Sequence, residues 1–125
     1  MPRSRNIKYS FFQNDELAEC DPLGRLLFIG LWTLADREGV LEDRPKKIKA
    51  AIYPFEDVDV DSLLGQLASK SFVIRYEQNG VKCLWLPKFS KHQSPHQSEP
   101  TSDLPRYEHG TSTGRAPDSY RARTR

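Results

Sequence analysis

The chain has 125 residues, 37% of them hydrophobic, and its 19 Lys and Arg against 17 Asp and Glu leave a formal net charge of +2. That length supports one modest domain, and so small a net charge selects no class of partner by bulk attraction. No apolar run reaches the roughly 20 residues needed to cross a bilayer, and the basic opening PRSRNIK leads into no uninterrupted apolar signal segment, so no membrane association is expected.

The two cysteines, Cys20 and Cys83, are expected to be free thiols in a reducing cytoplasm. Nearly all large apolar residues lie before Phe89, and after His92 only Leu104, Tyr107 and Tyr120 remain to anchor a core. The expected organisation is a basic N-terminal arm over residues 1–14, a folded domain over 15–92 and a flexible polar tail over 93–125.

In the arm, IKYSFF reads as extended, with Phe11-Phe12 packing back on the core, and Asp15 to Cys20 reads as one helical turn. The first long helix opens at Asp21, a good N-cap, with Pro22 at the first helical position where its missing N–H costs nothing. Leu23, Leu26, Leu27, Gly30, Leu31 and Leu34 recur at steps of three and four, and Phe28, Ile29 and Trp32 widen the stripe. An end near Arg37-Glu38 with Gly39 as the stop is expected. Val40 to Asp43 reads as a short strand. Pro45 opens a second helix, PKKIKAAIY, which Pro54 stops; Ile48, Ala51 and Ile52 form its apolar side. The third helix runs from near Asp59 to Ser69, buries Val60, Leu63, Leu64 and Leu67, and carries Asp57, Asp59 and Asp61 at its start, where the macrodipole favours negative charge. A hairpin follows, Phe72 to Glu77 and Val81 to Leu86, across Asn79-Gly80, the pair suited to the positive φ of a type I′ turn.

The order helix, strand, helix, helix, strand, strand predicts an α+β winged helix-turn-helix: three helices, a small antiparallel sheet and the hairpin as wing. The stretches RSRNIKYSFFQNDELAEC, LGRLLFIGLWTLADREGVLEDRPKKIKAAIYPFEDVDVDSLL, FVIRYEQNG and FSKHQSPH resemble the N-terminal winged-helix domain of phage and prophage replisome-organiser (replication initiator) proteins over roughly residues 3–96. The resemblance implies double-stranded DNA binding in replication initiation or its regulation in a bacterial host cell, and contact with a host or phage replication protein.

In a helix-turn-helix the second helix of the motif enters the major groove. The expected base-facing residues are therefore Ser62, Gln66, Ser69 and Lys70. Arg44, Lys46, Lys47 and Lys49 are expected at phosphates, with Arg75 and Lys82 on the wing, Lys88, Lys91 and His92 beyond it, and Arg3, Arg5 and Lys8 as a basic arm. The three aspartates read as caps and solvated charges. A homodimer is open, with Trp85 available either to it or to the core.

Cys83, His92 and His96 read C-x8-H-x3-H, but the cysteine pair that precedes H-x3-H in zinc fingers is absent, so no metal or cofactor is expected. There is no glycine-rich phosphate loop, nucleophile elbow or evident carboxylate pair, and no enzymatic activity is expected. The rival expectation is a small phage adaptor or inhibitor of a host replication or transcription enzyme, using the same fold without DNA. The near-neutral charge and acidic third helix favour that alternative.

Overall fold

A computed structural model describes residues 2–108; the part of the expected tail beyond Glu108 lies outside the described residues. The elements in chain order are α1 (Ser10–Gln13), α2 (Asp15–Ala18), α3 (Pro22–Leu34), β1 (Val40–Glu42), α4 (Pro45–Ile52), α5 (Val60–Ser69), β2 (Ile74–Gln78), β3 (Val81–Trp85) and α6 (Phe89–His92). The strands form one antiparallel sheet in the order β1-β3-β2. The α+β class and the three principal helices follow the sequence expectation, and α1 and α6 add single turns at either end.

Local chemistry sets the boundaries. The Asp21 carboxylate accepts from Leu23 N–H ahead of Pro22, and Asp59 accepts from Ser62 N–H at the start of α5. α4 lies between Pro45 and Pro54. Asn79 and Gly80 take φ of 55° and 78°, the left-handed pair that a tight hairpin turn requires.

The core lies between α3, α4, α5 and one face of the sheet. Leu27, Leu31, Leu64, Leu67 and Leu84 have no exposed surface, and Leu17, Ile48, Val60 and Leu41 close the cluster around them. Burial of each such side chain contributes about 1.5–3 kcal/mol. Gly30 permits the closest approach of α3 to α4, since a Cβ there would lie 2.6 Å from Ile52 Cδ1.

α3 ends at Leu34, short of the expected Arg37-Glu38. Ala35 turns extended, and the Asp36 carboxylate captures the N–H groups of Glu38 and Val40, offering the backbone a turn in place of a further helical one. Gly39, at φ 83°, belongs to that turn; a side chain there would meet Phe89 Cβ at 2.7 Å.

The tail expectation is corrected for residues 93–108, which wrap the body as a strap. Arg37 donates to the carbonyls of Gln97 and Glu99, while Arg106 and Ser102 both reach the Asp36 carboxylate. Tyr107 stacks on Trp85 and meets Tyr76 edge-on, and the Tyr76 hydroxyl donates to Pro105 O. The sheet is therefore covered twice. Leu41, Leu84 and Arg75 lie on the helix-facing side, whereas Val40, Cys83, Tyr76 and Trp85 lie on the side that the strap crosses.

The arm is likewise built in. The Arg3 N–H donates to Thr33 O, and the buried amide of Gln93 clasps the Asn6 backbone in both directions, at 2.9 and 2.8 Å. Phe11 meets Trp32 edge-on as expected, but Phe12 remains exposed, and its stretch is helical rather than extended.

Candidate nucleic-acid interface

Of the sixteen residues expected at DNA, two arginines turn inward. Arg75 alternates in phase with Val73 and pairs across the sheet with Leu84, so its side chain lies on the core face. Its guanidinium takes the Asp43 carboxylate bidentately, Nε at 2.9 Å and Nη2 at 3.0 Å, and reaches Asp61 at 2.7 Å. Burial opposes the charge, but the bonds to Asp43 and Asp61 hold the Arg75 pKa above the usual arginine value. This side chain ties β2 to the end of β1 and the start of α5 and does not reach a polyanion. Arg5 is corrected in the same way. It forms a fork with Glu99 at 2.9 and 2.8 Å, donates to the carbonyls of Trp32 and Ala35, and lies over the Phe89 ring. The bonds from Arg5 hold the Glu99 carboxyl below its ordinary value.

The expected base-reading face of α5 is partly engaged within the molecule. Gln66 Oε1 accepts from Asp21 N–H at 2.9 Å, fixing α5 against the start of α3. Lys70 pairs with Glu19, and the Ser69 hydroxyl donates back to Gln66 O. Ser62 is exposed.

Most of the remaining cations face solvent, chiefly in two groups, although Arg3 Nε also stands 3.5 Å from the buried Glu99 carboxylate. Arg3, Arg44 and Lys47 line a groove of about 480 Å³ between the arm, β1 and α4, together with Glu42, Asp36 and Glu99. Lys46 is exposed on the same helix, and Lys49 is half-buried, its Nζ reaching Tyr53 O. Lys47 stands 4.0 Å from Glu42, an exposed pair of little energetic weight. In the second group the arm brings Lys8 to α6, where its Nζ donates to Lys91 O at 3.3 Å. Partial burial, then the positive fields of Lys8, Lys91 and Lys88, lower the His92 pKa below the usual imidazole value. Arg3 and Lys8 are five residues apart, so the two groups adjoin a segment no longer than about 18 Å. Lys82 is exposed on the hairpin opposite Glu77.

Sequence reading missed the surface beside the second group. Phe11, Trp32, Phe28 and Phe72 form a continuous row of rings with neighbouring centroids 5.3–5.6 Å apart. Phe72 is aimed there by the end of α5. Ser71 takes φ 64°, its N–H bonds Ala68 O, and the Phe72 N–H bonds Leu67 O, a Schellman ending with serine where glycine is usual. Phe28 and Trp32 at i, i+4 were the available signal, and in sequence they could not be told from core.

Among the described residues, no group of three or more His, Cys, Asp or Glu side chains converges to hold a metal. Cys20 and Cys83 are free and buried. No helix among the described residues is long and apolar enough to cross a membrane. Comparison of the chain with known protein families, with curated proteins and with solved structures finds no match.

Proposed function

We propose that the chain is a winged-helix protein that binds double-stranded DNA through its phosphates, in phage replication initiation or its regulation. The element order from α3 to β3 and the sheet order β1-β3-β2 support the winged-helix reading, with α4 and α5 as the helix-turn-helix pair and β2–β3 as the wing. The observation that carries DNA binding is the division among the basic residues: Arg5 and Arg75 build the body, while Arg3, Arg44, Lys46 and Lys47 stay at the surface in one group and Lys8, Lys88 and Lys91 in another. With Gln66 held against the start of α3 and Lys70 drawn to Glu19 in an exposed pair, contact is mainly to the backbone and therefore tolerant of sequence. If six phosphates are met, affinity falls on the order of a thousandfold between 50 and 200 mM salt. Anisotropy titrations of a labelled duplex measure this, and a Lys46→Glu/Lys47→Glu variant lowers the salt slope by about two. An affinity indifferent to salt would refute the reading.

One observation favours the alternative of an adaptor or inhibitor of a host replication or transcription enzyme. Phe55, between α4 and α5, is 93% exposed, and the nearby Tyr53 hydroxyl donates to the carbonyl of Leu23, itself exposed with Leu26 on α3. Such a protein co-purifies with its partner at high salt, and Phe55→Ser abolishes that capture.

A further inference from the structure

Two adjoining hollows of about 360 and 280 Å³ share Phe28, Trp32, Phe72, Lys88, His92 and Gln93. Their wall is the aromatic row. Lys8 and Lys88 stand at the lip with His92, and Lys91 adds its charge close by. Two other charged groups line the larger hollow: Glu16, and Lys70, which is already paired with Glu19. The balance at the lip is positive, and the wall is apolar and aromatic, its neighbouring rings edge-on or tilted to one another.

Those two properties together select the occupant. A simple anion would use the lip and leave the rings unused, whereas an apolar side chain would use the rings and leave the cations without a counter-charge. A nucleotide has both parts, a planar base with a π-face and a phosphate one sugar away. We propose that the hollow takes the base of one unpaired nucleotide, packed against the half-buried Phe28 and Phe72 beside the largely buried Trp32, with its phosphate against Lys8, Lys88 and His92. Built onto the duplex-binding reading, this makes the preferred ligand a junction between paired and unpaired DNA. The Gln93 amide is not a base reader, because both of its ends hold Asn6, and the Asn14 Oδ1 that also borders both hollows is taken by the N–H groups of Glu16 and Leu17. Base–ring stacking tolerates sequence.

The test uses the full chain with Trp85→Phe, so that emission reports Trp32. Its ligands are a blunt duplex, the same duplex with a three-nucleotide overhang, a single strand, free thymidine monophosphate and inorganic phosphate. The overhang is expected to bind on the order of tenfold more tightly than the blunt duplex and to quench Trp32. Phe72→Leu, and separately Phe11→Leu on the peripheral arm, remove that gain while leaving blunt-duplex affinity unchanged. Lys88→Glu also removes the gain. Quenching by the free nucleotide supports the hollow and identifies a nucleotide pool as a second source. An overhang that binds no better and quenches nothing overturns the inference and leaves the duplex reading standing. Single-strand binding with quenching but no duplex binding does the reverse. Competition by inorganic phosphate equal to that of the nucleotide overturns the inference, because the rings would then contribute nothing.

Discussion

Replacing Asp43 by leucine tests the internal role assigned to Arg75. Asp43 and Arg75 side chains are 2% and 7% exposed, and they share two short charge-assisted bonds. Deleting one partner of a buried pair leaves the other charge without compensation and costs about 3–5 kcal/mol. Asp61 still accepts from Arg75 Nη2, but its side chain is 58% exposed and offers a screened counter-charge, so the lower end, about 3 kcal/mol, applies. For a domain of this size that is a fall in Tm of at least about 12 °C. Urea unfolding followed by circular dichroism measures it, and Arg75→Met completes a double-mutant cycle in which the double variant recovers most of the loss. An Asp43→Leu cost under about 1 kcal/mol would refute the assignment and return Arg75 to the surface.

Tyr107→Ala removes the stack on Trp85 and the edge contact with Tyr76, and is expected to cost about 1–2 kcal/mol in urea unfolding and to shift tryptophan emission. Anion binding at Lys8, Lys88 and Lys91 strengthens as pH falls through the lowered His92 pKa, because protonation adds a fourth positive charge opposite the single carboxylate of Glu16; His92→Ala abolishes that dependence in titrations of the duplex at constant salt. Gly30→Ala drives a methyl into Ile52 and is expected to cost about 1–3 kcal/mol, which restoring space with Ile52→Val partly recovers.

What could be read from the sequence was what short-range chemistry decides. The Asp21-Pro22 start, the proline-bounded α4 and the Asn79-Gly80 turn each depend on a few adjacent residues, and all three stand where expected. The contacts that were missed join distant segments. The charge of Arg75 points to the surface, whereas its phase with Val73 two residues earlier marks the inward face. Arg5 finds Glu99 94 residues away, a separation over which no periodicity carries information. Tyr107 is isolated in sequence, yet one ring suffices when Trp85 and Tyr76 already form a platform. The interface suffered similarly. Lys46 and Lys47 of α4 are legible as exposed, whereas Lys49 folds back on Tyr53 O and α5 carries hydrogen-bonding groups whose partners, Asp21 and Glu19, lie on earlier elements.

The second cover on the sheet has a chemical consequence. Cys83 faces the side crossed by the strap, and burial pushes its thiol pKa upward, so an alkylating reagent finds neither access nor thiolate while residues 104–107 are seated. Its labelling rate then measures how often that segment lifts, with Cys20, buried beside α2 away from the strap, as an internal comparison.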